Sequence, residues 1–336
     1  MKLSIVIPAY NVENHISRTL DSITRQSEKK FELIVVNDGS TDGTGKVINE
    51  KLQDCQELAY KVITKGNGGV CAARNRGLLE AAGEYVMFLD GDDFIADSLV
   101  ETIYDLLKTE APDVVCWGYN RVKEDQTTLE NYFDNYQHMR RHLTGVEALK
   151  NIYINQNLWL CTGSVLFRKQ LLNENKLMYS VGCTNCEDQE FTIKVLSNAK
   201  AVVFIDDILS FYVSREGSIT NSCNLKKFDA VGALKRASHY LSEKNDDELR
   251  EVGEIIATNI LVENFFNNFD SCITNCKVGG LLDEIGKRYP DLNSEVKNAM
   301  RRYGGSDNKL KMKSRLFLTS PRVYAGLSYM KQRASF

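Results

Sequence analysis

The chain has 336 residues, of which 43% are hydrophobic and 26% charged, with a formal net charge of −3 at pH 7. This composition excludes general disorder and is sufficient for a full α/β core with an appendage. The acidic balance argues against a nucleic-acid partner, and no apolar run reaches the roughly 20 residues that a membrane-spanning helix needs.

The first half of the chain alternates β-branched runs with helical periodicity. Strands are predicted over residues 2–11, 31–38, 59–64 and 85–90, and helices after each of the first three, the last of them over 70–82. This alternation predicts an α/β fold with a mostly parallel sheet and helices on both faces. Ligands of such sheets bind at the carboxyl ends of the strands.

Polar and small residues stand at all four predicted strand ends, and we expect them to line one crevice. These positions are Pro8, Ala9, Tyr10 and Asn11, then Asp38, then Gly66 to Gly69, and finally Asp90 to Asp93. No Gly-x-Gly-x-x-Gly follows the first strand and no P-loop motif occurs, which argues against the usual dinucleotide and nucleoside-triphosphate folds. An aspartyl phosphatase would carry its Asp-x-Asp after the first strand, whereas here it follows the fourth.

The acids Asp90, Asp92 and Asp93 are the most informative group, because only Gly91 separates the first from the other two. Carboxylates this close repel one another unless a cation neutralises them. Hard oxygen ligands suit Mg²⁺ or Mn²⁺ rather than zinc. The group therefore predicts a divalent-metal site at the end of the fourth strand.

Two later positions are candidates for chemistry. Glu187 and Asp188 precede a helical pattern, so they are predicted at a helix start, where the helix dipole alone also favours acids. Trp159 stands between two leucines and suits either a sugar-stacking role in an acceptor site or ordinary core packing.

Helices are predicted after residue 222, over 228–241, 247–269 and 278–289. Residues 301–336 then hold nine Lys or Arg against one acid, Asp307. Ser320 and Pro321 are typical of a helix cap and first turn, and the apolar residues of one face would follow: Val323, Tyr324, Leu327 and Met330. This basic amphipathic tail is predicted to bind an anionic membrane surface; a solvated terminal helix or an oligomer contact is the alternative.

Five ordered motifs resemble those of the family 2 glycosyltransferases. They are SIVIPAYN at 4–11, VNDGSTDG at 36–43, GVCAARNRG at 69–77, FLDGDD at 88–93 and CED at 186–188. Cys71 departs from the serine or other small residue expected there. The resemblance implies the GT-A fold, a Rossmann-like and mostly parallel central sheet flanked by helices. It also implies an inverting enzyme that moves a sugar from a nucleotide diphosphate, most often a uridine one, to an acceptor hydroxyl.

The resemblance assigns donor-binding roles to the strand-end residues. Nucleotide-sugar binding is expected from Pro8, Ala9, Tyr10, Asn11, Asp38, Gly68, Gly69, Arg74, Asn75, Asp90, Gly91 and Arg215. Tyr10 offers an aromatic face to the base, and Asp38 an acceptor for its imide N–H. The two glycines permit close backbone approach. Arg74 is a candidate for a phosphate or the base edge, and Arg215 is a candidate for the phosphates.

The acids receive the chemical roles. Asp92 is expected on the metal, Mn²⁺ or Mg²⁺, and Asp90 on the metal or the ribose, with Asp93 as a further ligand or a structural acceptor. Loss of either of the first two is expected to be more damaging than loss of Asp93. Asp188 is the expected general base, with Glu187 as an orienting neighbour, and Trp159 is the expected acceptor contact.

The sequence thus predicts four segments: a nucleotide-sugar-binding half at 1–110, an acceptor-binding half at 111–222, a helical module at 223–300 and the basic tail at 301–336. The expected setting is a bacterial capsule, exopolysaccharide or O-antigen pathway with a lipid-linked saccharide acceptor. Nine cysteines, an odd number, and a Met1 segment that enters the first strand without a signal pattern predict a cytoplasmic protein, peripheral at the inner face of the membrane.

Alternatives stay open at this point. One is a transferase that charges polyprenyl phosphate with a single sugar, and another, of a different class, is a noncatalytic nucleotide-sugar or lipid-binding partner. A processive membrane synthase is disfavoured because no spanning helix is predicted and no Gln-x-x-Arg-Trp occurs. The donor sugar, the acceptor, the linkage and any homo-oligomer are not encoded in a linear motif.

Overall fold

The computed structural model describes residues 2–136, 141–215, 224–273 and 278–333. The chain divides into two units. The first comprises Met1–Gly182 and Phe191–Arg215, and the second Cys183–Glu190 and Glu216–Phe336. This division is coarser than the four segments predicted from the sequence, and it assigns the segment around Asp188 to the C-terminal unit.

The first unit is built on one sheet, to which the described residues contribute ten strands in the order β3-β2-β1-β4-β9-β6-β10-β5, with β7 beside β6 and β8 beside β10. The pairs β1–β2, β2–β3, β1–β4 and β6–β10 are parallel, whereas β9 pairs antiparallel with β4 and β6, and the short strands β5, β7 and β8 also pair antiparallel. The strands are β1 (Leu3–Ala9), β2 (Phe31–Asn37), β3 (Ala59–Thr64), β4 (Tyr85–Phe88), β5 (Phe94–Ile95), β6 (Val114–Val122), β7 (Thr128–Glu130), β8 (Arg141–Leu143), β9 (Val165–Arg168) and β10 (Val202–Val213).

Helices flank this sheet, as predicted. They are α1 (Ile16–Thr24), α2 (Thr44–Leu52), α3 (Val70–Glu80), α4 (Leu99–Leu107), α5 (Gly145–Tyr153), α6 (Lys169–Glu174) and α7 (Glu187–Leu196), the last of which begins in residues counted with the second unit. Short 3₁₀ turns cover Tyr132–Asp134 and Thr162–Ser164. Ile16, Leu20 and Ile23 recur at helical spacing in the sequence and are fully buried along one face of α1.

Helix α3 approaches the sheet more closely than a side chain at residue 77 would allow. A Cβ on Gly77 would overlap Val6 Cγ1 and lie 3.2 Å from Val6 Cβ. Every residue of β1 is buried, as expected for a central parallel strand covered on both faces. The glycine therefore sets the distance between α3, which carries Arg74 and Asn75, and the strand that ends at Ala9.

The second unit is helical, which confirms the predicted C-terminal appendage. A 3₁₀ turn (Leu225–Phe228) precedes α8 (Asp229–Ser242), α9 (Asp247–Ile255), a π-helical turn (Ile256–Ile260), α10 (Leu261–Ile273), α11 (Val278–Arg288), α12 (Leu292–Arg302), α13 (Asn308–Thr319) and α14 (Pro321–Arg333). No helix in the part of the chain that the structure describes has the length and hydropathy of a bilayer-spanning segment.

Aromatic rings from α10, α13 and α14 form the core of this unit. Phe317 packs edge to face on Phe265 at a centroid distance of 5.3 Å, and Tyr324 packs on Phe266 at 5.1 Å. The prediction that Tyr324 lies on one face with Val323, Leu327 and Met330 was wrong, because Tyr324 is only 4% exposed whereas the other three are about half exposed. Its ring is apolar enough to complete the aromatic core, and its hydroxyl finds a partner there: Tyr324 Oη donates to Asp270 at 2.8 Å.

We predict that Gly77→Ala destabilises the first unit by about 1–3 kcal/mol, because the added methyl group would overpack the α3–β1 contact. Urea unfolding followed by tryptophan fluorescence would measure this, since both tryptophans, Trp117 and Trp159, lie in the first unit.

Gly66→Ala is the matched control. A Cβ at Gly66 meets no atom within 4 Å, so its free energy of unfolding is expected to change by no more than about 0.5 kcal/mol. Equal stability of the two variants would contradict the tight α3–β1 packing.

Candidate functional site

The carboxyl ends of β1 to β4 lie at one edge of the sheet. Ala9 is in register with Asn37, and Asn37 with Thr64, in parallel pairs, while β4 runs parallel to β1 on its other side. Because parallel strands end together, the four following loops meet along this edge. The structure thus brings together the polar positions that the sequence placed at the strand ends.

The loop after β1 presents one exposed ring and one bridging amide. Tyr10 is 48% exposed, whereas Ala9 is buried. Asn11 Oδ1 accepts the Thr41 N–H at 2.9 Å, and the Asn11 N–H donates to Ser40 Oγ at 3.2 Å. Asn11 therefore ties this loop to the loop after β2, which leaves Tyr10 as the side chain available to a planar ligand.

Asp38 organises the glycine loop that follows β3. Its carboxylate accepts the N–H of Gly68 at 3.0 Å and that of Gly69 at 2.7 Å, and it forms an ion pair with Lys65. Gly69 has φ +86°, a conformation that favours glycine. The expected contact of Asp38 with a base stays a prediction; in this structure the buried carboxylate shapes the loop that starts α3.

Arg74 lies at the centre of a buried stack beside the acidic turn. Its Nη2 donates to Asp90 Oδ1 at 2.7 Å, and its guanidinium carbon lies 5.1 Å from the ring centroid of Tyr179. Tyr179 in turn stacks on Phe191 with centroids 4.1 Å apart. The Arg74 charge is thereby fixed in direction toward Asp90.

Asn75 binds the backbone of the same tyrosine. Its Nδ2 donates to the Tyr179 carbonyl at 2.9 Å, and its Oδ1 accepts the Tyr179 N–H at 2.8 Å. This pair of bonds holds the segment before Gly182 against α3. Asn75 thus acts in this structure as a positioning residue, and its contact with a donor stays a prediction.

The turn after β4 is held from three sides. Thr19 Oγ1 donates to the Gly91 carbonyl and Arg18 Nη2 to the Asp92 carbonyl, each at 3.0 Å. Asp93 faces inward, where its Oδ1 accepts the Val213 N–H at 2.8 Å. This geometry makes Asp93 a structural acceptor.

Asp90 and Asp92 each pair with an arginine from another element. Beside the Arg74–Asp90 pair, Arg215 Nε lies 2.6 Å from Asp92 Oδ2, with both side chains partly exposed. Two cations thus offset two carboxylates at the end of β4.

Burial is the main electrostatic cost at this turn. It raises the pKa of Asp92, a shift that Arg215 opposes and Asp90 reinforces. Burial together with the Asp92 and Asp90 carboxylates raises the pKa of Asp93 well above its usual range. Positive charge near the Asp92 and Asp93 carboxylates therefore stabilises this turn.

The carboxylates fit a divalent cation that is shared with a ligand. Among the residues that the structure describes, no group of three His, Cys, Asp or Glu side chains is arranged to hold a metal. Mg²⁺ is commonly held by one or two carboxylates together with substrate phosphates. Asp90 and Asp92 supply two such carboxylates, so a bound diphosphate would have to complete the coordination.

Glu187 and Asp188 begin α7, as predicted. The segment before them is anchored within the second unit, where Thr184 Oγ1 donates to Asp229 at 2.6 Å. After them, the buried Glu190 carboxylate accepts hydrogen bonds from Arg236, from Nε at 3.0 Å to both oxygens and from Nη2 at 2.6 Å. The helix start that carries Asp188 is thus fixed on both sides.

Trp159 is half-buried in the first unit. Its carbonyl accepts the Tyr132 hydroxyl at 3.0 Å, and its ring lies edge-on to Tyr153 with centroids 6.4 Å apart. This arrangement orders the indole, and its acceptor role stays a prediction.

Sequence reasoning missed three residues that shape the site: Lys65, Arg18 and Tyr179. The position of Lys65 directly after a predicted strand, beside the glycines, was a usable signal. Arg18 and Tyr179 lie 74 and 89 residues from Asp92 and Asp90 in sequence and act through tertiary contacts, so no local pattern reveals them.

We predict that Asp93→Asn is more stable than the wild type at pH 7 in EDTA. The folded state raises the pKa of Asp93, so the wild type loses stability as pH rises above the unfolded value of about 3.9. Asn keeps an oxygen for the Val213 N–H and removes this penalty.

The stability difference should shrink as pH falls toward that value, because Asp93 is then protonated in both states. Urea unfolding at several pH values would measure it, with the exposed Asp105→Asn as control. A less stable Asp93→Asn at pH 7 would mean that the folded protein favours the Asp93 carboxylate.

Comparisons with known proteins identify glycosyltransferases as relatives of this chain. Glycosyltransferase GlyA of Streptococcus pneumoniae is 30% identical over 65% of this chain, which spans 31% of GlyA. The uncharacterized glycosyltransferase EpsJ of Bacillus subtilis is 29% identical over 65% of the chain, which spans 62% of EpsJ. The match thus spans less than two thirds of the length of either curated relative.

A solved structure of residues 1–349 of Staphylococcus aureus TarS in complex with UDP-GlcNAc matches 98% of this chain and 89% of that one, at 23% identity and a TM-score of 0.70. At this identity the likeness shows the fold alone, and it confirms the expected GT-A arrangement. The sequence profile described as "Glycosyl transferase family 2" matches residues 4–174. The chain therefore belongs to glycosyl transferase family 2.

Proposed function

We propose that this protein is an inverting glycosyltransferase that moves a sugar from a UDP-sugar to a hydroxyl of a saccharide acceptor. The observation that carries the proposal is the acidic turn after β4, where Asp90 and Asp92 stand beside Arg74 and Arg215 at the edge formed by four strand ends. Carboxylates and guanidinium groups together suit a diphosphate with its cation.

Three loops at this edge bind the donor. Tyr10 stacks on the base, and the glycine loop that Asp38 shapes brings backbone N–H groups close to the nucleotide. Arg215, partly exposed, exchanges its contact with Asp92 for one with the diphosphate. Arg74, buried and fixed, holds Asp90 in place.

Asp92 and Asp90 are the residues that would hold Mn²⁺ or Mg²⁺ when a donor is bound. A cation bound there neutralises the charge that develops on the leaving diphosphate. A mannosyltransferase of Pyrobaculum calidifontis, solved in complex with GDP-Man and Mn²⁺, has the same fold at a TM-score of 0.56 and 14% identity. That complex supports testing manganese first.

Asp188 is the general base. The acceptor oxygen attacks the anomeric carbon as Asp188 removes its proton, and the bond from that carbon to the nucleotide diphosphate breaks in the same step. The product has the opposite anomeric configuration. Glu187 orients the acceptor or the base, and Trp159 stacks on the acceptor sugar.

The relatives support a surface-polymer acceptor. TarP of S. aureus, 26% identical over 67% of this chain, is named a poly(ribitol-phosphate) β-N-acetylglucosaminyltransferase. We propose a bacterial surface polysaccharide, built on a lipid-linked acceptor at the cytoplasmic face of the membrane, with UDP-GlcNAc as the first donor to test.

The test is a panel of nucleotide sugars with and without Mn²⁺, read by thermal shift and by release of the nucleotide diphosphate. We predict that one UDP-sugar stabilises the protein in a metal-dependent manner and is slowly hydrolysed. Asp92→Asn should lose both effects, because it removes a ligand of the cation.

Asp188→Asn should keep the metal-dependent stabilisation and lower turnover by about 10²- to 10⁴-fold, the usual contribution of a general base. Asp105→Asn, an exposed acid on α4, is the control and should behave as wild type. If no donor stabilises the protein, a noncatalytic partner is favoured instead. Transfer to polyprenyl phosphate without a saccharide acceptor would favour the polyprenyl-phosphate transferase.

A further inference from the structure

We propose that the outward face of α14 is a docking surface for an anionic phospholipid bilayer. This inference deepens the proposed function, because a lipid-linked acceptor requires the enzyme to work at a membrane. It concerns a surface formed by Val323, Leu327 and Met330, here called the α14 row, together with the cations on either side of it.

The α14 row is exposed although it is apolar. Val323, Leu327 and Met330 are 52%, 47% and 59% exposed. Their spacing of four and three residues places them on one face of the helix. Exposing three large apolar side chains to water costs free energy, and this helix has already buried its other face.

The opposite face of α14 is firmly attached. Tyr324 and Ala325 are buried, and Asp270 accepts the hydroxyls of Tyr324 and Ser328, both at 2.8 Å. Lys313 from α13 completes the cluster with a 2.6 Å ion pair to Asp270. Because these contacts fix the rotation of the helix, the α14 row stays directed outward and cannot turn into the core of the second unit.

Cations flank the α14 row. At about 100° per residue, Arg322 and Lys331 fall on opposite sides of it, and both residues are exposed. On the neighbouring helix α13, Lys309 and Arg315 are exposed on the face that also carries the 67% exposed Met312. Apolar side chains bordered by Lys and Arg are the pattern of a helix lying in a membrane interface.

The charge pattern favours a bilayer over a second copy of this chain. In a contact between two copies, each α14 row would bring its flanking cations toward those of the other copy, and like charges oppose such a pairing. An anionic bilayer suits both the apolar row and the cations. Its acyl chains receive the α14 row, and its head groups attract the cations with a free energy of roughly 1 kcal/mol each.

The experiment is co-sedimentation of the full chain with vesicles of phosphatidylcholine alone or of an equal mixture with phosphatidylglycerol. We predict binding to the mixed vesicles only, weakened by salt. Leu327→Glu should reduce the partition constant about tenfold or more, because it removes an apolar anchor and adds a repelled charge. Arg322→Gln should reduce it about fivefold, which corresponds to one cation at about 1 kcal/mol.

Leu79→Glu is the matched control, since Leu79 is 71% exposed on α3 and lies outside the basic tail; it should bind as wild type. Circular dichroism would establish that all variants are folded. Equal binding of Leu327→Glu and wild type, or equal binding to neutral vesicles, would overturn the proposal. So would a wild type that ignores vesicles but is a dimer in light scattering and becomes monomeric in Leu327→Glu. The assay contains no donor, so failure here leaves the transferase proposal to be judged on its own test.

Discussion

Mutual repulsion among three carboxylates is the constraint on which the candidate site depends. Asp90, Asp92 and Asp93 occupy three of four consecutive positions at the end of a buried strand, and burial raises the pKa of Asp92 and Asp93. The fold reduces this repulsion in two ways. It turns Asp93 inward onto the Val213 N–H, and it sets an arginine against each of the other two. Asp90 and Asp92 therefore lie at the edge of the sheet with their negative charge offset by arginines from outside the turn.

Helix α3 connects this electrostatic arrangement to the packing of the sheet. Gly77 lets the helix lie directly on β1, and the same helix directs Arg74 to Asp90 and clamps Tyr179 through Asn75. The Tyr179 ring then covers the Arg74 guanidinium. A charge buried in this way is costly unless its partners are fixed. The close helix–sheet contact therefore also determines where the positive charge of the site lies.

The sequence was sufficient to predict which residues lie at the sheet edge, but not which hydrogen bonds and ion pairs their side chains form. The β-branched runs and the periodicity of α1 predicted strands and helices correctly, because burial on both faces of a parallel sheet leaves a strong apolar signal. The donor contacts expected of Asp38 and Asn75 stay predictions. The sequence did not reveal that the two side chains also bind backbone groups of Gly68, Gly69 and Tyr179. Tyr324 was assigned to the wrong face, because helical spacing alone cannot tell which apolar residues a neighbouring helix covers.

The two arginine pairs have a consequence for how a donor would bind under the proposed function. A diphosphate adds negative charge to an edge that already carries Asp90 and Asp92, so its binding requires that positive charge continues to offset both carboxylates. Arg74 is buried and committed to Asp90, whereas Arg215 is partly exposed and can turn toward the phosphates. That movement would leave Asp92 without its cation. Asp92 and the phosphates would then be the groups to hold a divalent ion that enters with the donor, and its positive charge would offset both. Under the proposed function, charge balance would thus link donor binding to metal binding, because the described part of the turn offers Asp90 and Asp92 and the substrate would supply the remaining ligands.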